Sequence, residues 1–310
     1  MNPGPGTQEP AASRQFPYKY NRLQSPSMTP NQRSILITGC SSGIGHCVAH
    51  GLQARGYRVV ASARREADVE RLRAEGLTSI QLDLDSPDSI GEAVARLGEL
   101  TGERLYALFN NAGFGQPGAV EDLGRAVLRA QFETNVFGTL DLTNRLIPWM
   151  RRAGEGRIIQ NSSVLGFVSL AYRGAYSASK YALEGLYDTL RLELADTDIH
   201  AVLIEPGPIV SRFRANAMAA FRRNIDVENS VHREKYLATE RRLTREGPAA
   251  PFTLPEQAVL DKVIRALESR RPKPRYYVTV PTYVLGGLKR LLGSRTLDRV
   301  LLGVSRGEQK

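Results

Sequence analysis

Cysteine is almost missing: the 310 residues hold two, Cys40 and Cys47. Both fall in or beside one glycine-rich turn, where a mutual disulfide would distort the backbone. They read as reduced thiols, and the chain as a protein of a reducing compartment, the cytoplasm. Histidine is scarce too, with four residues, His46, His50, His200 and His232; taken as scattered, with no paired Cys/His spacing, they offer no metal-ligand pattern. Long apolar runs are also lacking. The longest uncharged stretch near the C-terminus, Tyr276 to Leu288, falls short of the about 20 apolar residues that a membrane-spanning helix needs. Residues 1–32 are rich in proline and poor in aliphatics, without the apolar segment of a secretory signal, and read as a disordered arm. Met28 offers a second start, from which residues 1–27 would be absent.

Acidic residues are short at one end of the chain. Residues 262–310 carry twelve Lys/Arg against three Asp/Glu, so that +9 of the net +10 lies there. These basic residues alternate with Leu and Val and not with stacking aromatics, which argues against nucleic acid as a partner. Val284, Leu285, Leu288, Leu291 and Leu292 recur at helical spacing beside Lys289, Arg290 and Arg295, giving a basic amphipathic segment over 281–310. Its apolar stripe has three candidate surfaces: the protein's own cleft, a second subunit, or weak contact with an anionic bilayer. Docking near the cleft is expected, because it needs no partner.

What the chain does have is regular alternation. Ile35-Leu36-Ile37, Val59-Val60-Ala61, Ile80-Gln81-Leu82, Ala107-Leu108-Phe109, Ile158-Ile159 and Ala201 to Ile204 read as buried strands, with a helix-length segment between each pair. This is βαβ repetition, so the expected fold is α/β, a doubly wound parallel sheet of the Rossmann type, as a single domain over residues 33–280. Ligands of such sheets sit at the carboxyl ends of the strands. Gly56 should end the first helix, Pro255-Glu256 should open a later one reaching toward Arg270, and Arg275 to Val280 reads as the last strand. The polar stretch 212–254, helical in pattern, follows Pro206-Gly207 and reads as a helical lid over a substrate.

Three segments carry chemistry. Thr38-Gly39-Cys40-Ser41-Ser42-Gly43-Ile44-Gly45 follows the first strand and opens a helix, the arrangement that brings backbone amides to a pyrophosphate. Tyr176 and Lys180 stand four apart and share a helix face, so the ammonium is expected to lower the phenol from its reference of about 10 and make it a usable acid. Ser163 lies upstream of both. After the second strand, Ala63 supplies no carboxylate for the adenosine ribose, whereas Arg64 offers a fork for a 2′-phosphate and Ser41 a hydroxyl, which favours NADP. The alternative for Arg64 is a plain surface charge.

Together these residues resemble the short-chain dehydrogenase/reductase family over roughly 33–280, most of all its bacterial YbbO-type aldehyde reductases. The family's glycine turn matches Thr38, Gly39, Gly43 and Gly45. Its acid after the third strand matches Asp83, its Asn-Asn-Ala-Gly segment matches Asn110 to Gly113, and its catalytic set matches Asn135, Ser163, Tyr176 and Lys180. Ser211 replaces the family's carboxamide-binding Thr but keeps the hydroxyl. The cofactor-binding set so implied is Thr38, Gly39, Ser41, Ser42, Gly43, Ile44, Gly45 and Arg64, then Asp83, Leu84, Asn111, Ala112 and Gly113, and finally Tyr176, Lys180, Pro206, Gly207, Ile209 and Ser211. The mechanism implied has Ser163 donating a hydrogen bond to a carbonyl oxygen and Tyr176 protonating the alkoxide, with Lys180 on the ribose. Asn135 would hold a proton-relaying water, the alternative being a purely structural polar residue. Strand alternation turns Ser162 away, and Tyr172 and Tyr181, which lack a lysine four residues on, read as packing or substrate-facing.

The substrate pocket is expected to be lined by Val164 to Val168, by Tyr172 and by the lid from near Phe213, with no arginine cluster. That lining suits a small hydrophobic aldehyde or ketone. The same glycine turn occurs in steroid and retinoid dehydrogenases, the alternative enzymes; an NADPH-sensing or membrane-recruiting module is the non-enzymatic one, and the intact Ser163, Tyr176 and Lys180 argue against it. Family resemblance also implies a homodimer through helices near 122–151 and 176–195, where Ala182, Gly185, Leu186 and Leu190 give an apolar stripe that could equally cover the sheet.

Overall fold

The computed structural model describes residues 33–307 apart from 246, 248 and 249, so the arm expected over residues 1–32 lies outside the described residues. In the first strand, β1 (Ser34–Ile37), all four residues are buried. Ile35 and Ile37 enter one apolar cluster while Leu36 enters another on the opposite face. The same division recurs in β2 (Arg58–Ala63), where Val59 and Ala61 oppose Val60, and in β4 (Ala107–Asn110), where Ala107 and Phe109 oppose Leu108. Side chains of a strand alternate faces, so continuous apolar runs bury both faces and require helices on each side.

With β3 (Thr78–Gln81), β5 (Gly156–Asn161), β6 (Ile199–Glu205) and β7 (Arg275–Tyr277), these form a seven-stranded parallel sheet of order β3-β2-β1-β4-β5-β6-β7. The order reverses between β1 and β4, which opens a crevice at their carboxyl ends. One face carries α1 (Gly43–Ala54), whose Val48, Ala49 and Leu52 are fully buried, and α9 (Gln257–Glu268). The helix α2 (Glu66–Ala74) joins the same face through Val69 and Leu72. The other face carries α3 (Pro87–Thr101), α5 (Thr139–Ala153) and α6 (Gly174–Glu193).

Two boundaries differ from the sequence reading. The helix expected from about 122 is broken: α4 (Arg125–Phe132) passes into a π-helical turn, Glu133–Gly138, before α5 continues. At Gly138 the carbonyl of Leu84 comes so close that no Cβ fits. The last strand ends at Tyr277, because Val280 already begins a helix, α10 (Val280–Leu291), with Pro281 in its first turn, where a missing N–H goes unmissed.

Two appendages flank the crevice. The stretch expected as a lid holds α7 (Phe213–Asn224) and α8 (Arg233–Thr244), which share a core of their own around Phe221 and Tyr236. The C-terminal segment is two helices, α10 and α11 (Ser294–Gly307), and not one. Leu285, Leu297 and Leu301 pack on Leu165 and Val168, with Leu288 and Leu292 against them, so part of the expected stripe docks on the protein beside the cleft, whereas Val284 and Leu291 stay exposed.

Candidate active site

A cavity of about 1700 Å³ runs along the carboxyl ends of the strands. Its floor is the turn between β1 and α1. Gly39 (φ 71°) and Gly43 (φ 59°) occupy the left-handed region that glycine tolerates best, and a Cβ on Gly39 would meet the Ala112 Cα at 2.8 Å. On Gly45 a Cβ would strike the Gly39 carbonyl. The Ser42 side chain makes no cap bond to α1, and the first turn contains no acid. Unclaimed amides, a positive helix end and room for a close backbone approach fit a dinucleotide pyrophosphate.

The turn is wired to the catalytic side by a chain of hydrogen bonds. Thr38 Oγ1 accepts from the amides of Asn111 and Ala112, each at 2.9 Å, and Asn111 Nδ2 donates to the carbonyls of Thr38 (3.0 Å) and Gly39 (3.2 Å). Asn161 Nδ2 donates to Asn111 Oδ1 at 3.0 Å, and Lys180 Nζ donates to the Asn161 carbonyl at 2.7 Å. Asn161 was not singled out in the sequence; only the pairing of β5 beside β4 reveals its role.

Ser163, Tyr176 and Lys180 all line the cavity. Ser163 Oγ accepts the Leu165 amide at 3.1 Å, which fixes the hydroxyl at the start of a short 3-10 turn, where it also hydrogen-bonds the Tyr176 phenol. The Lys180 ammonium lies 5.7 Å from the centre of the Tyr176 ring. Contrary to expectation, Tyr176 is pushed up to about 12, because burial outweighs the Ser163 hydrogen bond and the Arg173 charge. Burial pulls Lys180 down to about 8, against the opposing charge of Glu184. Desolvation dominates over the helix-face pairing read from the sequence. Tyr176 is thus a protonated phenol at neutral pH, and a weaker acid than the helix-face pairing implied.

Of the predicted residues, Thr38, Gly39, Ser41, Ser42, Gly43, Ile44, Arg64, Asp83, Leu84, Asn111, Ala112, Gly113, Pro206, Gly207, Ile209 and Ser211 line the cavity with Ser163, Tyr176 and Lys180. Gly45 and Asn135 do not. Gly45 acts by its lack of a side chain, and Asn135 is enclosed: its Oδ1 accepts the Phe114 amide (3.1 Å), and its Nδ2 donates to the Phe114 carbonyl and to Ser179 Oγ, both at 3.0 Å. Its side chain therefore joins the π-helical turn to α6. Ser162 points away as expected, donating to Glu184.

The substrate half needs correction. Val164, Leu165 and Phe213 line it, but Gly166, Phe167, Val168 and Tyr172 do not. Phe167 stacks on Tyr277 at 5.6 Å between centroids, and Tyr172 packs edge-on to Tyr236 inside the lid core. Phe213 meets Tyr176 edge-on at 5.2 Å, over a Gly115 whose Cβ would lie 2.6 Å from the Phe213 ring. Val284, Leu285 and Leu288 of α10, from the C-terminal stripe expected near the cleft, add a further wall. Arginines are present after all: Arg173, Arg212, Arg214, Arg223, Arg242 and Arg245 reach the lining. All but Arg173 come from the lid, whose fold over the cavity no local pattern reveals.

Behind the site, Arg275 donates to Glu205 (3.0 Å), Glu184 (3.1 Å) and Asp188 (2.6 Å), tying β7 to the end of β6 and to α6. Burial and the neighbouring Glu184 hold the fully buried Glu205 carboxyl well above the usual carboxylate range. This cluster anchors the strand end that leads into Pro206-Gly207. The histidines also prove less scattered than they read: His46 and His50 converge with Glu75 on the outer surface.

A glycine cradle at the sheet crevice beside a Ser, Tyr and Lys set defines a dinucleotide-dependent oxidoreductase. A family model described as short chain dehydrogenase matches residues 33–220. The chain belongs to the short-chain dehydrogenase/reductase family. It is 46% identical over 272 residues to the uncharacterized oxidoreductase YbbO of Escherichia coli K12, covering 88% of this chain and 95% of that one. Human retinol dehydrogenase 8 is 33% identical over 286 residues, covering 87% and 89%. A short-chain dehydrogenase structure from Streptomyces avermitilis superposes with a TM-score of 0.70 at 29% identity, covering 90% of this chain and 99% of that one.

Proposed function

We propose that the protein reduces a hydrophobic aldehyde or ketone to an alcohol with NADPH. The observation that carries this reading is the convergence of Ser163, Tyr176 and Lys180 on a cavity continuous with the glycine cradle and Arg64. Bound NADPH would supply hydride to the carbonyl carbon. Ser163 turns its hydroxyl from the Tyr176 phenol to the carbonyl oxygen, and Tyr176, protonated throughout the physiological range, gives its proton to the alkoxide. Lys180 supplies positive charge beside the phenol and a donor for the ribose, held in place by the Asn161 carbonyl. Val164, Leu165, Leu170, Phe213 and the α10 wall favour an apolar substrate body, with the lid arginines toward its far end.

Choice of NADP rests on Arg64. Its guanidinium makes no hydrogen bond or ion pair with another described residue, whereas Arg65 is tied to Asp68 at 2.8 Å. Asp68 is itself held by both Arg65 and Arg71, so it is a poor acceptor for ribose hydroxyls. The retinoid or steroid reading remains the second enzyme class, favoured by the similarity to retinol dehydrogenase 8. Following NADPH absorbance with medium-chain aldehydes, retinal and a ketosteroid, each at equal concentration, separates the two; no turnover of any would remove both.

Two associations belong to the same reading. A homodimer through α4, α5 and α6 is supported by Phe137, 52% exposed, and Leu192, 68% exposed, although Ala182, Leu186 and Leu190 partly pack on the sheet. Light scattering showing a monomer at micromolar concentration would remove it. A weak contact with anionic membrane surface would use Leu291 and Leu302 beside Lys289, Arg290 and Arg299. Among the described residues no helix is long and apolar enough to cross a membrane.

A further inference from the structure

Away from the cavity, three ligand-bearing side chains meet on the outer surface of the cofactor half. His46 and His50 stand four residues apart on α1 and so share a face. Glu75, at the C-terminal end of α2, reaches between them, with its Oε2 2.6 Å from His46 Nε2 and 3.0 Å from His50 Nε2. The imidazole rings lie 4.5 Å apart, centre to centre, and the three ligand atoms all fall within 4.8 Å of one another. In a tetrahedral zinc site with bonds of about 2.0–2.1 Å, ligand atoms stand roughly 3.3 Å apart. Side-chain rotation alone covers that difference.

The donors are also turned to one point, since Glu75 Oε2 lies within hydrogen-bond distance of both imidazole Nε2 atoms. A neutral imidazole binds a metal through Nε2 once its proton sits on Nδ1, a change of tautomer that leaves its charge unaltered. The other groups facing the spot do not compete. Arg71, one turn before Glu75, is engaged with the Ser41 carbonyl (2.7 Å) and with Asp68. The Cys47 thiol points to Gln257.

We propose that His46, His50 and Glu75 form a site for a divalent transition-metal ion of the zinc class. Two imidazoles and one carboxylate suit zinc, nickel or copper, whereas magnesium and calcium prefer all-oxygen shells. Water completes the coordination. The ion clamps α1, which carries the glycine cradle, to α2, which begins just after Arg64 and holds the Ser41 carbonyl through Arg71. The i, i+4 histidine spacing was visible in the sequence; the third ligand comes from a separate helix, which is why the set was missed.

The test is calorimetric titration of zinc chloride into chelator-treated full-length protein at pH 7.5, with thermal melts alongside. One saturable site is expected, weakened at least tenfold by His50→Gln and by Glu75→Gln, and unchanged by Cys47→Ser. Zinc should raise the melting temperature of the unsubstituted protein and not of His50→Gln, while zinc-free melts of the two coincide and show that the variant folds. Absence of saturable binding at pH 7.5, or equal affinity in the His50 and Glu75 variants, would overturn the proposal and place any bound ion elsewhere, for example at His232 and Glu121.

Discussion

Replacing Arg64 with alanine should separate the two nicotinamide cofactors. Arg64 is exposed at the carboxyl end of β2, where its backbone carbonyl accepts from Gln81 Nε2 at 3.0 Å and its guanidinium engages no other described residue. Neighbouring Arg65 cannot readily substitute, since Asp68 holds it at 2.8 Å. A charge-assisted hydrogen bond is worth about 1.5–3 kcal/mol, and tenfold in affinity corresponds to about 1.4 kcal/mol. Exposure and salt screening favour the lower end of that range. Arg64→Ala should therefore weaken NADPH binding roughly tenfold or somewhat more and leave NADH within about twofold. Quenching of protein fluorescence, titrated with each cofactor at two salt concentrations, reads both constants; the NADPH loss should shrink at high salt. Equal weakening of the two cofactors, or none, would refute the assignment of Arg64 to a 2′-phosphate.

Lys180, pulled down to about 8, is an ammonium below that pH and loses its charge above it, whereas Tyr176 at about 12 stays protonated. Activity should accordingly fall about tenfold per pH unit above about 8, and a profile flat to pH 10 would show that the Lys180 charge is not needed. Truncation after Pro281 removes the Leu285, Leu297 and Leu301 contacts with Leu165 and Val168 and opens the cavity wall. It should lower the melting temperature and aldehyde turnover together, with only the weak contact to anionic vesicles lost besides; loss of binding to anionic vesicles with stability and activity unchanged would make the tail a membrane anchor instead. Phe221→Ala, which empties a fully buried position in the lid core, should cost about 3–5 kcal/mol of stability in denaturant titration. A change under about 1 kcal/mol would mean the lid does not unfold with the body.

Local signals were the legible ones. Buried strands announced themselves by short apolar runs, and the glycine turn by residues whose missing Cβ is a backbone requirement, as Gly39 and Gly43 show. Tyr176 and Lys180 were readable because a helix fixes their spacing. Relations between distant segments were not. Asn161, the Arg275 cluster and the lid arginines depend on which strands and helices become neighbours. The direction of the Tyr176 shift was missed for a related reason: the sequence displays the lysine four residues away, but burial by Phe213 and the surrounding wall is a property of the folded chain. The partners of the Asn135 side chain, Phe114 and Ser179, were likewise illegible, since they come from separate segments.

The central claim is that Tyr176 is the proton donor of a carbonyl reductase, and Tyr176→Phe tests it most directly. The ring would still pack edge-on against Phe213, and the cofactor cradle, whose bonds run through Thr38, Asn111 and Asn161, does not involve the phenol oxygen. With NADPH and a medium-chain aldehyde, the account predicts that turnover falls by a factor on the order of 10²–10⁴, as removal of a positioned acid does, while NADPH affinity stays within about twofold. Near-normal turnover in Tyr176→Phe would contradict it.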